Sequence, residues 1–316
     1  MTRIRVGLYY DLRNPGTARP WPQVYADALR RIGEAERRGV DAIWTSEHHG
    51  FDDGYLPAPL TFAAAIAART ERVRVGTAVA VAPLTHPRAL AEQAAVVDIL
   101  SDGRLELGLG AGWREPEFAA VGADFRGRYD ALESAIGDVE RFWADGTATP
   151  PPVQRPVPVW VGARGPRGAR IAGRTGAGLL WIDPELLGPY REGLAAGGHD
   201  PGAARMGGLV NLFLADDPDA ARERIRPSGR HNRSSYSGND RGAARGSAAF
   251  PKLEVCTAEQ AAERIAERTA GLPVTDVFCF ADIAGLAPDL VDRHVELVAA
   301  GLPRLLHERT DAHAPG

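Results

Sequence analysis

This 316-residue sequence contains few cysteines, has a small net charge and lacks long apolar runs. Its two cysteines, Cys256 and Cys279, are too few for a disulfide framework and lack metal-ligand spacing. No apolar run approaches the roughly 20 residues of a membrane-spanning helix, and the first residues lack the features of a signal peptide. A formal net charge of −4, with no basic stripe, disfavours nucleic acid as a partner. We therefore expect a cytoplasmic protein that binds neither nucleic acid nor membrane.

What the sequence does contain is a regular alternation of apolar, β-rich runs with helical patterns. Apolar residues make up 44% of the chain, enough for a large core. The runs alternate little between apolar and polar residues, as expected for a parallel sheet covered on both faces. Eight strands are predicted, at 4–11, 41–47, 73–81, 104–112, 158–163, 176–182, 206–215 and 274–281. This pattern predicts an α/β fold, a (β/α)8 TIM barrel that spans 1–316 as a single domain.

An open, doubly wound sheet is the alternative fold. Such a sheet usually carries a glycine-rich turn after its first strand, and YYDLRNPG (9–16) is a poor match to one. Residues 227–251 interrupt the alternation, because they are rich in Gly, Ser, Arg and Asn and contain few apolar anchors. A loop of this length is typical of a lid, so we predict a mobile lid at this position.

Because the active site of a TIM barrel lies at the C-terminal ends of its strands, each predicted strand end is a candidate. The second strand leads into TSEHHGFDD (45–53), which contains His48 and His49. Neighbouring residues on a strand point to opposite sides, so this pair does not supply two ligands to one metal ion, and we expect no metal site. Imidazole titrates near neutral pH, which makes His48 the candidate general acid–base. His49 is better explained as a hydrogen-bonded structural residue.

Two further strand ends are rich in small residues. GLGAGW (108–113) has few side chains where a ligand would approach, so its backbone N–H groups are accessible to a flat ring or a phosphate. In WVGARGPRGAR (160–170), residues 162–165 leave a strand and Pro166 opens a helix, where free N–H groups and arginine side chains can bind phosphate. Glycine-rich strand ends are common, so GLGAGW alone is weak evidence for a ligand site. WVGARGPRGAR is stronger evidence, although a plain turn between strand and helix explains it equally well.

Four stretches of the sequence, 47–60, 73–113, 156–178 and 273–299, together resemble the bacterial luciferase-like flavin-dependent oxidoreductases. The resemblance covers about residues 4–300 and implies a TIM barrel that binds reduced FMN or the deazaflavin coenzyme F-420 at its mouth. By this resemblance, His48 matches the active-site histidine of the family's EHH motif, beside the reactive edge of the flavin. Thr77, Ala78 and Val79 match the segment behind the ring, where a non-proline cis peptide bond is expected between Ala78 and Val79.

The phosphate-binding part of the family pattern is different in this chain. Luciferase has an arginine for the flavin phosphate where this sequence has Ala111, so the resemblance implies that residues 162–165 and the following helix hold the phosphate. The EHH motif favours FMN, the first candidate cofactor, whereas GAGW is similar to deazaflavin-using members and makes F-420 the alternative. The cofactor-binding residues implied are Thr77, Ala78, Val79, Gly110, Ala111, Gly112, Gly162, Ala163, Arg164 and Gly165.

The main functional hypothesis is a two-component monooxygenase. A separate flavin reductase would supply reduced FMN, O2 would oxygenate a small organic substrate, and His48 would move the accompanying proton. The alternatives are a deazaflavin-dependent hydride-transfer oxidoreductase, a non-catalytic flavin-binding barrel and a metal-dependent hydrolase. A homodimer is expected from the resemblance alone. The candidate residues for lining the substrate pocket are Tyr9, Asp11, Trp113 and Trp181.

Overall fold

The strands of the chain close into a parallel barrel. A computed structural model describes residues 3–17, 19–237 and 252–312. Its strands are β1 (Arg5–Tyr10), β2 (Ala42–Thr45), β3 (Arg74–Thr77), β4 (Ala80–Val81), β5 (Leu105–Gly110), β6 (Val159–Gly162), β7 (Gly178–Leu180), β8 (Met206–Leu209), β9 (Leu212–Leu214), β10 (Glu254–Cys256) and β11 (Val274–Phe280). β4 continues the course of β3, and the pairing of β3 with β5 closes a cylinder of eight strand positions. The predicted TIM barrel is confirmed, and the open sheet is wrong.

Helices cover the outside of the barrel, and most of them begin with proline. Proline suits the first turn because its φ angle is already helical and its missing N–H would have no partner there. The helices are α1 (Trp21–Arg38), α2 (Pro59–Ala67), α3 (Pro87–Leu100), α4 (Glu115–Val121), α5 (Arg128–Ala144), α6 (Pro166–Arg174), α7 (Pro184–Ala196), α8 (Pro218–Ser237), α9 (Ala258–Thr269), α10 (Pro288–Glu296) and α11 (Leu302–Ala312), with a π-helical segment, Leu297–Gly301, between the last two. Within the described parts of the chain, none of the helices is both long and apolar enough to cross a membrane.

Two large indoles fill the middle of the barrel. Trp44 and Trp160 meet edge to face at 6.1 Å, and Trp44 also stacks on Phe278 at 5.1 Å. Neighbouring strands make room for these rings with glycine: a Cβ on Gly76 would come within 2.4 Å of Trp44, and one on Gly178 within 2.4 Å of Trp160. The interior of the barrel is therefore a packed core and not a pore.

A buried ionic layer closes the N-terminal end of the barrel. Glu106, whose side chain is 2% exposed, lies 2.9 Å from both Arg5 and Arg74 and accepts a hydrogen bond of 2.7 Å from the indole N–H of Trp160. Arg5 also forms a two-pronged ion pair with Asp276. Because these charged side chains fill the N-terminal end of the barrel, the C-terminal mouth is the end that can receive a ligand.

Two predicted segments are organised differently from expectation. The run 206–215 is not one strand: the chain turns at Val210, whose carbonyl accepts from Leu212 N–H, and β9 pairs with β10 in a separate two-stranded sheet. The predicted loop at 227–251 is wrong for 227–237, which extend α8 as helix. The remainder of that segment, 238–251, lies outside the described residues.

Candidate active site

The loop after β2 carries His48 to the mouth of the barrel, between a buried carboxylate and three aromatic rings. Its Nδ1 lies 2.9 Å from Oε1 of Glu117 on α4. The centroid of its ring is 4.7 Å from Tyr55, 5.2 Å from Phe51 and 5.6 Å from Trp113. Only 11% of the side chain is exposed, so most of the imidazole is shielded from water.

Glu117 fixes the orientation of the His48 imidazole and also binds the backbone of the loop after β2. The same Oε1 accepts from the backbone N–H of His49 and from Arg114, each at 3.0 Å. Burial alone would raise the pKa of this carboxyl, but the hydrogen bonds from His48, His49 and Arg114 outweigh burial and hold the pKa below its ordinary value. An ionised carboxylate only accepts hydrogen bonds, so Nδ1 of His48 carries the hydrogen between them. In the neutral ring, Nε2 is then the nitrogen that carries no hydrogen.

His49 points away from His48, as the sequence predicts, and it binds a different carboxylate. Its Nε2 is 2.8 Å from Oε1 of Glu47, whose other oxygen accepts from the backbone N–H of Val81 at 2.7 Å. The hydrogen bond that His49 donates to the carboxylate of Glu47 raises the pKa of His49. β2 ends at Thr45, before these residues, so the divergence comes from the loop and not from the pleat of a strand.

The break between β3 and β4 lies at the mouth of the barrel. The Ala78–Val79 peptide bond is cis, as the resemblance implies. Thr77 is buried beneath it, and its hydroxyl donates to the carbonyl of Gly108 at 2.6 Å and accepts from the N–H of Gly108 at 2.9 Å. Ala78 and Val79 are partly exposed, so the structure places this predicted cofactor-binding segment where a ligand can reach it.

Glycine at two strand ends makes room for Val79. A Cβ on Gly110 would come within 2.4 Å of the Val79 side chain, and one on Gly162 within 2.5 Å. These three predicted residues are therefore brought together on the rim. Gly112 has a φ of +74°, which favours glycine, whereas Ala111 is buried and 6% exposed.

The remaining predicted cofactor residues lie at the start of α6. The helix begins after Gly165 with no side-chain cap, and the guanidinium of Arg164 lies over the ring of Trp181 at 4.8 Å. Ala163 packs against Gly168, where an added Cβ would come within 2.3 Å of it. An uncapped helix start beside an arginine suits a phosphate group.

Of the four predicted substrate-pocket residues, two are at least partly exposed and two are buried. Trp113 is 37% exposed and contacts His48, and Trp181 is partly exposed. Tyr9 is buried, and its hydroxyl lies 3.2 Å from that of Tyr55. Asp11 is 3% exposed, and burial raises its pKa to about 6. Asp11 therefore does not line an open surface.

Sequence reasoning missed a buried ionic cluster beside the mouth. The guanidinium of Arg13, on the loop after β1, pairs with Asp53 at 2.7 Å, and neither side chain is exposed by more than 7%. His231 on α8 lies 2.8 Å from the same carboxylate, and Arg13 donates to Asn232 at 2.6 Å. Burial would raise the pKa of Asp53, but the hydrogen bonds from Arg13 and His231 lower it. We name Arg13, Asp53, His231 and Asn232 the helix clasp, because they tie the end of α8 to two rim loops.

No metal-binding arrangement is present among residues 3–17, 19–237 and 252–312: no three His, Cys, Asp or Glu side chains gather closely enough to hold an ion. The two adjacent histidines instead bind separate carboxylates, Glu117 and Glu47. What the mouth offers is one imidazole with a fixed tautomer, a rim of small residues and an uncapped helix start.

Comparison with known proteins identifies the family. Residues 4–291 match the luciferase-like monooxygenase family, and the chain belongs to it. The crystal structure of a monooxygenase from Streptomyces bottropensis superimposes with a TM-score of 0.83 at 26% sequence identity, covering 95% of this chain and 99% of that one.

Curated relatives include two kinds of oxidoreductase. The oxygenase component of a flavin-dependent trigonelline monooxygenase from Acinetobacter baylyi is 31% identical over 201 residues, which is 58% of this chain and 56% of the relative. An F420-dependent glucose-6-phosphate dehydrogenase from Kineococcus radiotolerans is 32% identical over 222 residues, which is 61% of this chain and 65% of the relative. The chain thus spans less than two thirds of the length of either relative. The class supported is a luciferase-like oxidoreductase, with its reaction type open between these two.

Proposed function

We propose that the chain is the oxygenase component of a two-component monooxygenase that uses reduced FMN and O2 on a small organic substrate. The observation that carries a catalytic function is the buried His48–Glu117 pair within an aromatic shell at the mouth of the barrel. Likeness to the Streptomyces bottropensis monooxygenase over nearly the whole chain supports oxygenation as the reaction. A separate flavin reductase and a homodimer are part of the proposal.

The residues present fit a flavin. Val79, Gly110 and Gly162 form a rim of small, closely packed residues against which a flat ring can lie. The uncapped start of α6 and Arg164 would hold the phosphate. Bound reduced FMN would supply the electrons for O2 activation.

The chain's own contribution is proton handling and exclusion of water. Glu117 fixes His48 with its Nδ1–H donating, so Nε2 is the atom that holds or releases a proton. The rings of Phe51, Tyr55 and Trp113 surround the imidazole and keep bulk water from it. The helix clasp would hold the end of α8 near the mouth, and we propose that 227–251, within one domain of residues 1–316, acts as its lid.

A deazaflavin-dependent hydride transfer is the second candidate. It is supported by the F420-dependent glucose-6-phosphate dehydrogenase of Kineococcus radiotolerans, which matches this chain as well as the trigonelline monooxygenase does. His48 would then accept or supply the proton that accompanies hydride transfer to or from the substrate.

Cofactor preference separates these candidates. The purified apo-protein is titrated in parallel with reduced FMN under anaerobic conditions and with F-420, and binding is followed by calorimetry. We expect the tighter complex with reduced FMN, and oxygenated product when air and a flavin reductase are added. Tighter binding of F-420, with substrate oxidised in the absence of O2, would replace the first proposal with the second. Binding of FMN without turnover of any substrate would favour a non-catalytic barrel.

A further inference from the structure

The side chain of Arg114 is buried between the two loops that build the His48 site, and only 6% of the residue is exposed. Arg114 directly precedes α4, three positions before Glu117, and follows Trp113, whose ring contacts His48. A guanidinium is always charged and carries five N–H donors, so its burial is costly unless those donors are bonded. The acceptors that Arg114 binds therefore show which part of the molecule its charge stabilises.

One nitrogen of Arg114 bridges the two loops. Its Nη1 donates to the backbone carbonyl of His49 at 2.7 Å and to Oε1 of Glu117 at 3.0 Å. His49 follows His48 on the loop after β2, and Glu117 is the carboxylate that binds Nδ1 of His48. The guanidinium therefore fixes the backbone that carries the imidazole relative to the side chain that orients it.

The flat face of the same guanidinium lies on the aromatic cover of the imidazole. Its central carbon is 4.2 Å from the centre of the Phe51 ring, and that ring lies 5.2 Å from the ring of His48. Phe51 belongs to a short loop between Gly50 and Gly54, whose φ angles are +66° and +68°. Glycine restrains the backbone of such a loop only weakly. The stack on Arg114 is therefore a contact that holds the Phe51 ring in place.

Arg114 also supplies positive charge to Glu117. Burial would raise the pKa of this carboxyl, and the hydrogen bond from Arg114 is one of those that lower it. An ionised carboxylate only accepts hydrogen bonds and so requires a hydrogen on Nδ1 of His48, whereas a protonated carboxyl can also donate. Loss of Arg114 should therefore weaken the preference of the imidazole for one tautomer.

The contacts of Arg114 differ from those of an arginine that only supports the backbone. Arg104, on the loop before β5, donates to the backbone carbonyls of Ala67, Thr70 and Val73, and so holds together the turn between α2 and β3. Arg114 instead contacts a carbonyl, a carboxylate and a ring that all surround one imidazole. Its contacts thus converge on the residue that is the candidate acid–base.

We propose that Arg114 is a positioning residue for His48. It holds the loop after β2 against α4 and keeps Glu117 ionised, so that the imidazole has one position and one tautomer. This assignment rests on the proposed function, because it makes Arg114 the support of the residue that moves the proton. With reduced FMN and O2, Arg114→Gln should lower kcat by about tenfold or more, with the KM for reduced FMN little changed.

The imidazole of His48 reports this role in the full chain without flavin. In protein labelled with ¹⁵N-histidine, NMR shows which ring nitrogen carries the hydrogen at a pH where the ring is neutral, and the signals missing from His48→Gln identify the ring. We expect one tautomer in the wild type, with the hydrogen on Nδ1, and a mixture of both tautomers in Arg114→Gln. The amide hydrogen of His49, which is bonded to Glu117, should exchange about tenfold faster or more in the same variant.

Arg128→Gln is the matched control. The guanidinium of Arg128 also lies 4.2 Å from a phenylalanine ring, that of Phe125, and donates to a backbone carbonyl, so its loss should leave both readouts unchanged. Arg114→Lys keeps the positive charge and should restore the single tautomer, whereas exchange at His49 should stay fast because an ammonium lacks the flat fork of a guanidinium. Arg114→Met, which keeps much of the side-chain volume, repeats the test if Arg114→Gln does not fold.

A single tautomer with unchanged exchange at His49 in a folded, neutral variant of Arg114 would overturn the assignment, and so would equal changes in Arg128→Gln. A mixture of tautomers in Arg114→Lys would overturn the part of it that depends on charge. The NMR measurements contain no flavin, so they are independent of the proposed reaction. The expected signals in a protein that turns over no reduced FMN would contradict the proposed function alone, whereas turnover with unaltered signals would overturn the role of Arg114 alone.

Discussion

Oε1 of Glu117 lies 2.9 Å from Nδ1 of His48, although the two residues are 69 positions apart and belong to different β/α units. The loop after β2 supplies the imidazole, and the short helix after β5 supplies the carboxylate. Since Oε1 also accepts from the N–H of His49, the pair fixes both the tautomer of the ring and the course of the loop that carries it. Function at this mouth therefore depends on how two separate loops are held together.

Replacement of His48 tests the role of the imidazole directly. We expect His48→Gln to lower kcat of the proposed monooxygenase by about 10²- to 10⁴-fold, the usual contribution of a positioned acid–base group, with flavin affinity unchanged. His49→Gln is the matched control, because His49 is adjacent and also bonded to a glutamate. Steady-state kinetics and flavin titration give both values. Full activity in His48→Gln would remove His48 from the mechanism.

Glu117 is expected to act through His48 as a positioning residue. Glu117→Gln keeps the size of the side chain but replaces the carboxylate that fixes Nδ1 of His48 as the donor with a neutral amide. We therefore expect kcat to fall with KM little changed, because the imidazole is no longer held in one tautomer. Glu117→Ala also leaves buried donors of Arg114 and His49 without their acceptor, which should cost about 1–3 kcal/mol of stability. An unchanged kcat in a folded Glu117→Gln variant would show that Glu117 is structural only.

The position of His48 could be predicted from the sequence because strand ends of a barrel share one face, and the apolar runs that form the strands are evident. Its partner could not be predicted in this way. Glu117 lies in a short helix after GLGAGW, and the only signal was an acidic residue soon after a strand end. Asp53 lies in DDG, a pattern typical of a turn, whereas its carboxylate binds a histidine 178 positions away. Long-range ion pairs leave no local periodicity, so the helix clasp was invisible in the sequence.

A second histidine, His294, should make the stability of the fold depend on pH. It is fully buried; its Nδ1 accepts from the N–H of Leu214 and its Nε2 donates to the carbonyl of Phe280, each at 2.8 Å. Burial lowers its pKa from 6.5 to about 4. Between these values the unfolded chain binds a proton that the folded chain does not, so stability is lost as pH falls from 6.5 to about 4, by about 3 kcal/mol in all.

Unfolding by urea across this pH range measures the loss. His294→Gln, whose amide can replace both hydrogen bonds without titrating, should reduce the pH dependence by about that amount. His86→Gln is the control, because His86 is exposed at the start of α3 and should leave the slope unchanged. An equal slope in His294→Gln and the wild type would contradict the assignment.

The ionic layer at the N-terminal end of the barrel should be costly to disrupt. Glu106→Ala leaves Arg5 and Arg74 facing each other without their shared carboxylate and removes the acceptor of the Trp160 indole. We expect a loss of about 3–5 kcal/mol in the free energy of unfolding, as for other broken buried ion pairs. Glu133→Ala, which breaks an exposed pair with Arg174, should cost less than about 1 kcal/mol. Urea unfolding measures both losses. Similar losses in the two variants would show that burial does not increase the contribution of the Glu106 ion pairs to stability.

The helix clasp should control how firmly the end of α8 is held at the mouth. Asp53→Asn removes the charge that binds both Arg13 and His231 and leaves Arg13 buried without its counterion. Local opening of 227–237 then costs less free energy, so amide hydrogen exchange there should accelerate by about tenfold or more, with the barrel strands unaffected. Asp52→Asn changes the neighbouring, exposed carboxylate and should leave exchange unchanged. If both variants exchange at the wild-type rate, the contacts of α8 beyond the helix clasp hold it in place, and the proposed lid would need a different hinge.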